Sequence, residues 1–218
     1  MGASAPKQYH RIAGRPVLIW SVDAMHALPE IAGVVVVRAS DDAHFHTVMP
    51  DRGPRLRDCA GGADRAASVQ AGLAALRDWG AGADDRVLVH DAARPAVQPA
   101  EIRRLIEAVG DDPDGGLLAA PVRDTLKRAD AAGRALETPP RDGLWQAMTP
   151  QCFPLARLEA ALATAVEGPV TDEAQAMEHL GARPRLVASD PGNIKYTYPE
   201  DADWLAWILT RRQSETTR

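Results

Sequence analysis

Short apolar runs alternate with stretches of helical spacing along most of this chain. Gly33 to Val37 is an almost unbroken valine run, and Val87–Val89, Gly116–Val122 and Pro184–Ala188 repeat the pattern. Continuous apolar runs of this length predict strands covered on both faces. Arg55–Cys59, Trp145–Met148 and Ile194–Thr197 predict shorter strands, and Thr149-Pro150-Gln151 should break the second of these. Between the runs, apolar residues recur at three and four. Arg15-Pro16 opens a helix with Val17, Trp20, Ala24 and Leu28 on one face and Pro29 closing it. A second helix carries Val69, Leu73 and Leu76 and stops at Gly80, and a third starts at Pro99 with Ile102, Leu105, Ile106 and Val109 and ends at Gly110. Leu155, Leu158, Leu162 and Ala165 form a stripe stopped by Gly168. Thr171 is expected to cap the next helix, with Asp172 and Glu173 in its first turn, where the dipole favours acids.

Pro199 begins the closing helix, where Trp204, Trp207 and Ile208 are expected in a core or an interface and residues after Arg211 are expected to fray. The first nine residues predict no strand, and 38–54 reads as loop with one helical turn. Residues 129–143 are polar, rich in Pro and Gly, and long enough for an excursion rather than a tight turn. Strands alternating with helices predict an α/β fold with a doubly wound, mostly parallel sheet, in one domain spanning 1–218.

Composition changes this picture little. A net charge of -5 with scattered arginines offers no footprint for non-specific nucleic-acid binding. No run approaches a membrane span or a signal-peptide core, so a cytoplasmic protein without membrane partners is expected. Two cysteines, Cys59 and Cys152, make neither a disulfide framework nor a metal site.

The candidate chemistry gathers at the end of the Val87–Val89 run, which passes directly into His90-Asp91-Ala92-Ala93-Arg94-Pro95. Ligands in open α/β sheets sit beyond the carboxyl ends of strands. An aspartate there can hold a hard cation, an arginine can fork onto phosphate, and the alanines let a ligand approach the backbone. Gly61-Gly62, between a strand and a helix, exposes amides that can meet a base or a phosphate. Of 25 basic residues only Lys7, Lys127 and Lys195 are lysines, and the one asparagine, Asn193, stands two residues before Lys195. A compact ammonium suits a point contact with phosphate. Singly, each feature has a plainer reading: a surface ion pair, a loop-to-helix turn, solvated lysines, a helix cap.

Together they fall in the order of one family. Pro6-Lys7-Gln8-Tyr9, Gly61-Gly62 through Ser68-Val69, His90 through Pro95, Pro121 through Thr125, Leu144-Trp145 through Gln151, Thr171 through Ala174 and Asn193-Ile194-Lys195 resemble the 2-C-methyl-D-erythritol 4-phosphate cytidylyltransferases of the non-mevalonate isoprenoid pathway. The resemblance implies a Rossmann-like fold and attack of a sugar-alcohol phosphate on the α-phosphorus of CTP, with pyrophosphate leaving and magnesium bound. It implies that Lys7 touches the α-phosphate, that Gly61, Gly62 and Ser68 hold the cytosine, and that Asp91 lies near the metal, the nucleotide and the sugar alcohol. Arg94, Thr171 and Lys195 would bind methylerythritol phosphate. Residues 123–148 would form a protruding β-arm that reaches into a second subunit, so that Thr125 and Arg141 complete the neighbour's site in a homodimer.

Two departures qualify the match. Relatives begin with a strand and an Ala-Ala-Gly-x-Gly-x-Arg loop just before the Pro-Lys-Gln-Tyr segment, whereas this sequence starts at Met1, after where that arginine would stand. The expectation is that Met1 is an internal methionine, that about twenty-odd residues precede it (one strand plus loop), and that the chain as it stands has a gap in its sheet and little stability or activity. Ala63 also stands where some relatives carry an acid. A ribitol 5-phosphate cytidylyltransferase and a CTP-binding remnant without catalysis are the alternatives. The absence of a Gly-x-Gly-x-x-Gly opening a helix disfavours a dehydrogenase.

Overall fold

A computed structural model of the chain describes residues 5–50, 53–164 and 170–216. A 3-10 turn, Lys7–Tyr9, leads into a small antiparallel pair, β1 (Arg11–Ile12) and β2 (Arg15–Pro16), and then α1 (Val17–His26). There follow β3 (Val34–Arg38), α2 (Phe45–Val48), β4 (Leu56–Ala60), α3 (Arg65–Asp78), β5 (Arg86–Val89), α4 (Pro99–Val109) and β6 (Gly116–Pro121). The hairpin β7 (Arg128–Ala129) and β8 (Ala135–Glu137) precedes β9 (Trp145–Pro154), α5 (Leu155–Thr164), α6 (Glu173–His179), β10 (Arg185–Ala188) and α7 (Asp201–Thr216).

Alternation along the strands sends neighbouring side chains to opposite faces, and both faces are covered by helices. Leu118 and Cys152 pack with Leu28 of the α1 end and with Ile102 and Leu105 of α4. Their neighbours Leu117 and Phe153 pack on the other side with Leu73, Leu155, Leu158 and Met177 from α3, α5 and α6. This is the doubly wound arrangement that the sequence predicts. The main sheet runs β10-β6-β9-β5, with β10 parallel to β6 and β9 antiparallel to both its neighbours. β3 and β4 form a separate parallel pair. Val34 of β3 and Leu88 of β5 share one apolar cluster, yet among the described residues no ladder joins the two strands. The valines of β3 consequently stay partly exposed, although their sequence suits full burial.

Several expectations are corrected. Thr149-Pro150-Gln151 does not break the strand, because β9 continues to Pro154. The register against β6 shifts between Leu117 and Ala119, and such an irregularity absorbs a residue that cannot donate to the ladder. The excursion at 129–143 carries a hairpin, with Arg128 paired to Glu137 and Ala129 to Ala135. Ile194–Thr197 is no strand, and Tyr196 N–H instead donates to the Ala93 carbonyl at 2.8 Å. Asp172, not Thr171, caps α6, accepting from the Gln175 amide at 2.9 Å. Trp204 and Trp207 are 66% and 58% exposed, since Leu205 and Leu209 supply the buried face of α7, which runs on to Thr216. Ala165 and Gly168 lie outside the described residues.

Candidate active site

A cleft of about 240 Å³ opens between the carboxyl ends of β3 and β5, lined by Val36, Val37 and Arg38 on one side, Asp91 and Ala92 on the other, and Lys7 and Lys195 at its mouth. Its position follows from the topology, since strands covered on both faces leave only their ends open. A larger groove of about 600 Å³ beside α7, lined by Trp204, Trp207 and Arg211, contains none of the sequence-predicted residues.

Lys7 is exposed, but the turn that carries it is anchored. Tyr9 is buried and donates through its hydroxyl to Asp42 at 2.5 Å, and the His10 ring meets Tyr196 Oη at 2.9 Å and the Ala5 carbonyl at 2.7 Å. Burial and the Asp42 carboxylate both hold the Tyr9 phenol protonated well above its ordinary range. The ammonium of Lys7 is thus presented to the cleft by a fixed backbone and no partner of its own is needed to place it.

Asp91 stands two residues beyond the end of β5. Lys195 Nζ lies 2.7 Å from Asp91 Oδ2, and Arg94 Nε lies 3.9 Å from the same oxygen. Burial works against the charged carboxylate, but the hydrogen bond and charge of Lys195, with the charges of Arg65 and Arg94, outweigh it and keep the Asp91 pKa below the usual carboxylate range. The site therefore holds one ionised acid among three cations at neutral pH. Arg94 Nε is buried without a hydrogen-bond partner, which leaves it a donor in reserve. An oxygen donor such as Asp91 suits a hard divalent cation. Among the described residues no three His, Cys, Asp or Glu side chains gather as ligands, so a cation here would need substrate oxygens or water to complete its shell.

Gly61 and Gly62 connect β4 to α3. A β-carbon on Gly62 would meet the Ala67 β-carbon at 2.4 Å and the Ala67 carbonyl carbon at 3.0 Å, and one on Gly61 would meet Ser68 Oγ at 2.7 Å. The glycines are therefore required by close approach to the first turn of α3, a reason invisible in the dipeptide itself. Asp64 caps that helix, accepting from the Ala67 amide at 2.8 Å. Ser68 Oγ accepts from the Gly62 amide at 3.1 Å and donates to the Asp64 carbonyl at 2.8 Å, so it pins the loop. Gly62→Ala should lower the unfolding free energy by about 1–3 kcal/mol, the cost of forcing a side chain into filled space, readable by denaturant titration.

Thr171 lies outside the cleft lining, with its amide and hydroxyl both bonded to Gln175 Oε1 at 2.7 and 3.1 Å. Two links tie its segment to β9 and to α3. Gln151 of β9 donates to Asp172 at 2.9 Å and accepts from the Ala174 amide at 2.8 Å. Arg65 of α3 holds the fully buried Glu173 in a two-pronged pair at 2.6 and 2.8 Å. Thr125 and Arg141 are exposed on the arm and do not line the cleft; Arg141 donates to the Arg123 carbonyl. Sequence reasoning missed Thr149, Arg65 and Glu173, whose bonds span 58 and 108 residues.

His90 is partly buried, with Nδ1 3.0 Å from Thr149 Oγ1 and Nε2 3.2 Å from the Arg94 carbonyl. Burial, resisted by Asp91 and those hydrogen bonds, draws its pKa down to about 4. The unfolded chain takes up this proton near pH 6.5 while the folded protein does not until about 4, so stability falls as pH drops through that window and is retained above it. Without added metal, about 1–3 kcal/mol should be lost between those limits, the size expected for one proton with partial solvent access. Denaturant titrations of wild type and His90→Gln across the window check this.

Comparison with known proteins agrees with the motifs. The model of the 2-C-methyl-D-erythritol 4-phosphate cytidylyltransferase family matches residues 1–211. Proteins of that name from Ectopseudomonas mendocina and Paraburkholderia phytofirmans are 48% and 52% identical to this chain, covering 98% and 96% of it and 92% and 90% of their own lengths. A crystal structure of a 4-diphosphocytidyl-2C-methyl-D-erythritol synthase superposes with a TM-score of 0.86 at 40% identity, covering 93% of this chain and 94% of its own. The Francisella tularensis 2-C-methyl-D-erythritol 4-phosphate cytidylyltransferase gives 0.82 at 30% identity, covering 93% of each chain.

Proposed function

The chain belongs to the 2-C-methyl-D-erythritol 4-phosphate cytidylyltransferase family, and from this premise we propose the following reading of its site. The enzyme transfers CMP from CTP to 2-C-methyl-D-erythritol 4-phosphate. A phosphate oxygen of the sugar alcohol attacks the α-phosphorus of CTP, the bond to the β-phosphate oxygen breaks, and pyrophosphate leaves. The observation that carries the reading is the convergence of Lys7, Asp91 and Lys195 on one cleft, whose lining residue Arg38 accepts from the Gly61 amide.

Phosphoryl transfer asks the protein for placement and charge more than for covalent chemistry. Lys7 stabilises negative charge developing on the α-phosphate. The Gly61-Gly62 backbone, pinned by Ser68, holds the cytosine in a space suited to a pyrimidine. Arg94 and Lys195 hold the phosphate of the incoming substrate, with Thr171 at the far rim. Asp91 keeps both cations oriented, and its carboxylate would hold a magnesium ion that, bound with the nucleotide, would neutralise phosphate charge. The protein acts as a homodimer, with Thr125 and Arg141 offered across the arm. The exposed Leu136, Leu144 and Trp145 on that arm support this, being apolar surface that a second subunit would cover. Its use of CTP supports a cytoplasmic location.

Pyrophosphate release tests the reading. Release is expected from CTP with methylerythritol phosphate and magnesium, well above that with ribitol 5-phosphate. Equal or faster release with ribitol 5-phosphate would reassign the substrate.

A further inference from the structure

The turn from His90 to Arg94 is closed by side chains from elsewhere in the chain. Thr149 Oγ1, on β9, accepts from the Asp91 amide at 3.0 Å and lies 3.0 Å from His90 Nδ1. His90 Nε2 lies 3.2 Å from the carbonyl of Arg94. A carbonyl only accepts, so Nε2 carries the hydrogen; a neutral imidazole has one N–H, so Nδ1 accepts and the Thr149 hydroxyl donates to it. The hydroxyl therefore receives from residue 91 and passes on to the imidazole, which passes on to residue 94.

A second set of bonds holds the same turn from the other side. Arg94 donates through its guanidinium to the Asn193 carbonyl at 2.7 Å, and the fully buried Asn193 amide donates to the Thr149 carbonyl at 3.0 Å. Thr149 thus supports the turn twice, through its hydroxyl and through its carbonyl. Thr149 is 5% exposed and does not line the cleft.

We propose that Thr149 and His90 are positioning residues of the transfer reaction, closing a ring of hydrogen bonds that fixes where the Asp91 carboxylate and the Arg94 guanidinium point. This rests on the roles given to Asp91 and Arg94 above. Valine at 149 keeps the shape of threonine and removes the hydroxyl, leaving the Asp91 amide and the His90 nitrogen without their partner. The turn is then free to shift, and displacement of a binding group by about an ångström can cost on the order of a hundredfold in rate.

The test compares Thr149→Val with Thr149→Ser in steady-state kinetics well below the melting temperature of each. T149V is expected to raise KM for methylerythritol phosphate and lower kcat, each by about tenfold, with a smaller rise in KM for CTP through the magnesium site at Asp91. T149S is expected to recover most of the loss. A T149V enzyme with a lowered melting temperature but wild-type kcat and KM would overturn the proposal, as would a rise confined to KM for CTP. Nitrogen-15 NMR of the wild-type imidazole requires no variant: the Nε2–H tautomer is expected, and the Nδ1–H tautomer overturns the ring even if T149V fails to fold. Absence of any transfer by the wild type would instead count against the functional reading, and the imidazole spectrum would still decide the ring.

Discussion

Replacing Lys7 by alanine is expected to lower kcat by about 10²–10³-fold, the range seen when one preorganised charge at a developing anion is removed. The loss should fall on kcat with little change in either KM, because the charge it meets grows only as the pentacovalent phosphorus forms. Stability should be untouched. Lys7 is exposed, and its turn is held by Tyr9 on Asp42 and by His10 on Tyr196, none of which involves the lysine side chain. Lys7→Arg should restore only part of the rate, since a planar fork on a longer arm does not place its charge where a compact ammonium does. Steady-state kinetics with thermal melts of both variants check this. A rise confined to KM for CTP would make Lys7 a ground-state contact.

The largest expected effect on stability is at Arg65. Arg65→Ala leaves Glu173 fully buried with its cation gone, and removing one partner of a buried pair costs about 3 kcal/mol or more. The lower end applies here, because the Arg65 side chain is 38% exposed and water can enter the vacated space. Burial pulls the guanidinium pKa down, but the bonds to Glu173 more than offset that and raise it, so Arg65 stays charged throughout the working pH range. Arg65→Ala/Glu173→Ala together should be less destabilising than Arg65→Ala alone, since no orphan charge remains. Denaturant titration of the two singles and the double closes the cycle. A double variant as unstable as the sum of the singles would deny the coupling.

The sequence makes the elements and the motif positions legible, because both rest on local signals. Valine runs, Pro99 at a helix start and Gly80 and Gly110 at helix ends act within a few residues, and the structure places them accordingly. What was not legible depends on partners far along the chain. Pro150 reads as a breaker until the shifted register against β6 shows how the ladder accommodates it. Ile194–Thr197 has the composition of a strand, but its backbone is drawn to Ala93 and its neighbour Asn193 to Thr149. The exposed Trp204 and Trp207 run against the ordinary expectation that such rings are covered. In the candidate site, Lys7, Asp91 and Lys195 were found from motif and residue type, and the structure brings them to one cleft. Thr149, Arg65 and Glu173 fall inside the motifs but were given no role in the site, because their roles follow from bonds that only the folded chain creates.

The most direct measurement follows CTP labelled at its α-phosphate, incubated with magnesium and 2-C-methyl-D-erythritol 4-phosphate. The account predicts that label moves into a cytidine diphosphate ester of the sugar alcohol, in step with pyrophosphate release, and that Lys7→Ala abolishes most of it. Label accumulating as free CMP, or remaining in CTP while the nucleotide binds, would contradict transfer at this cleft.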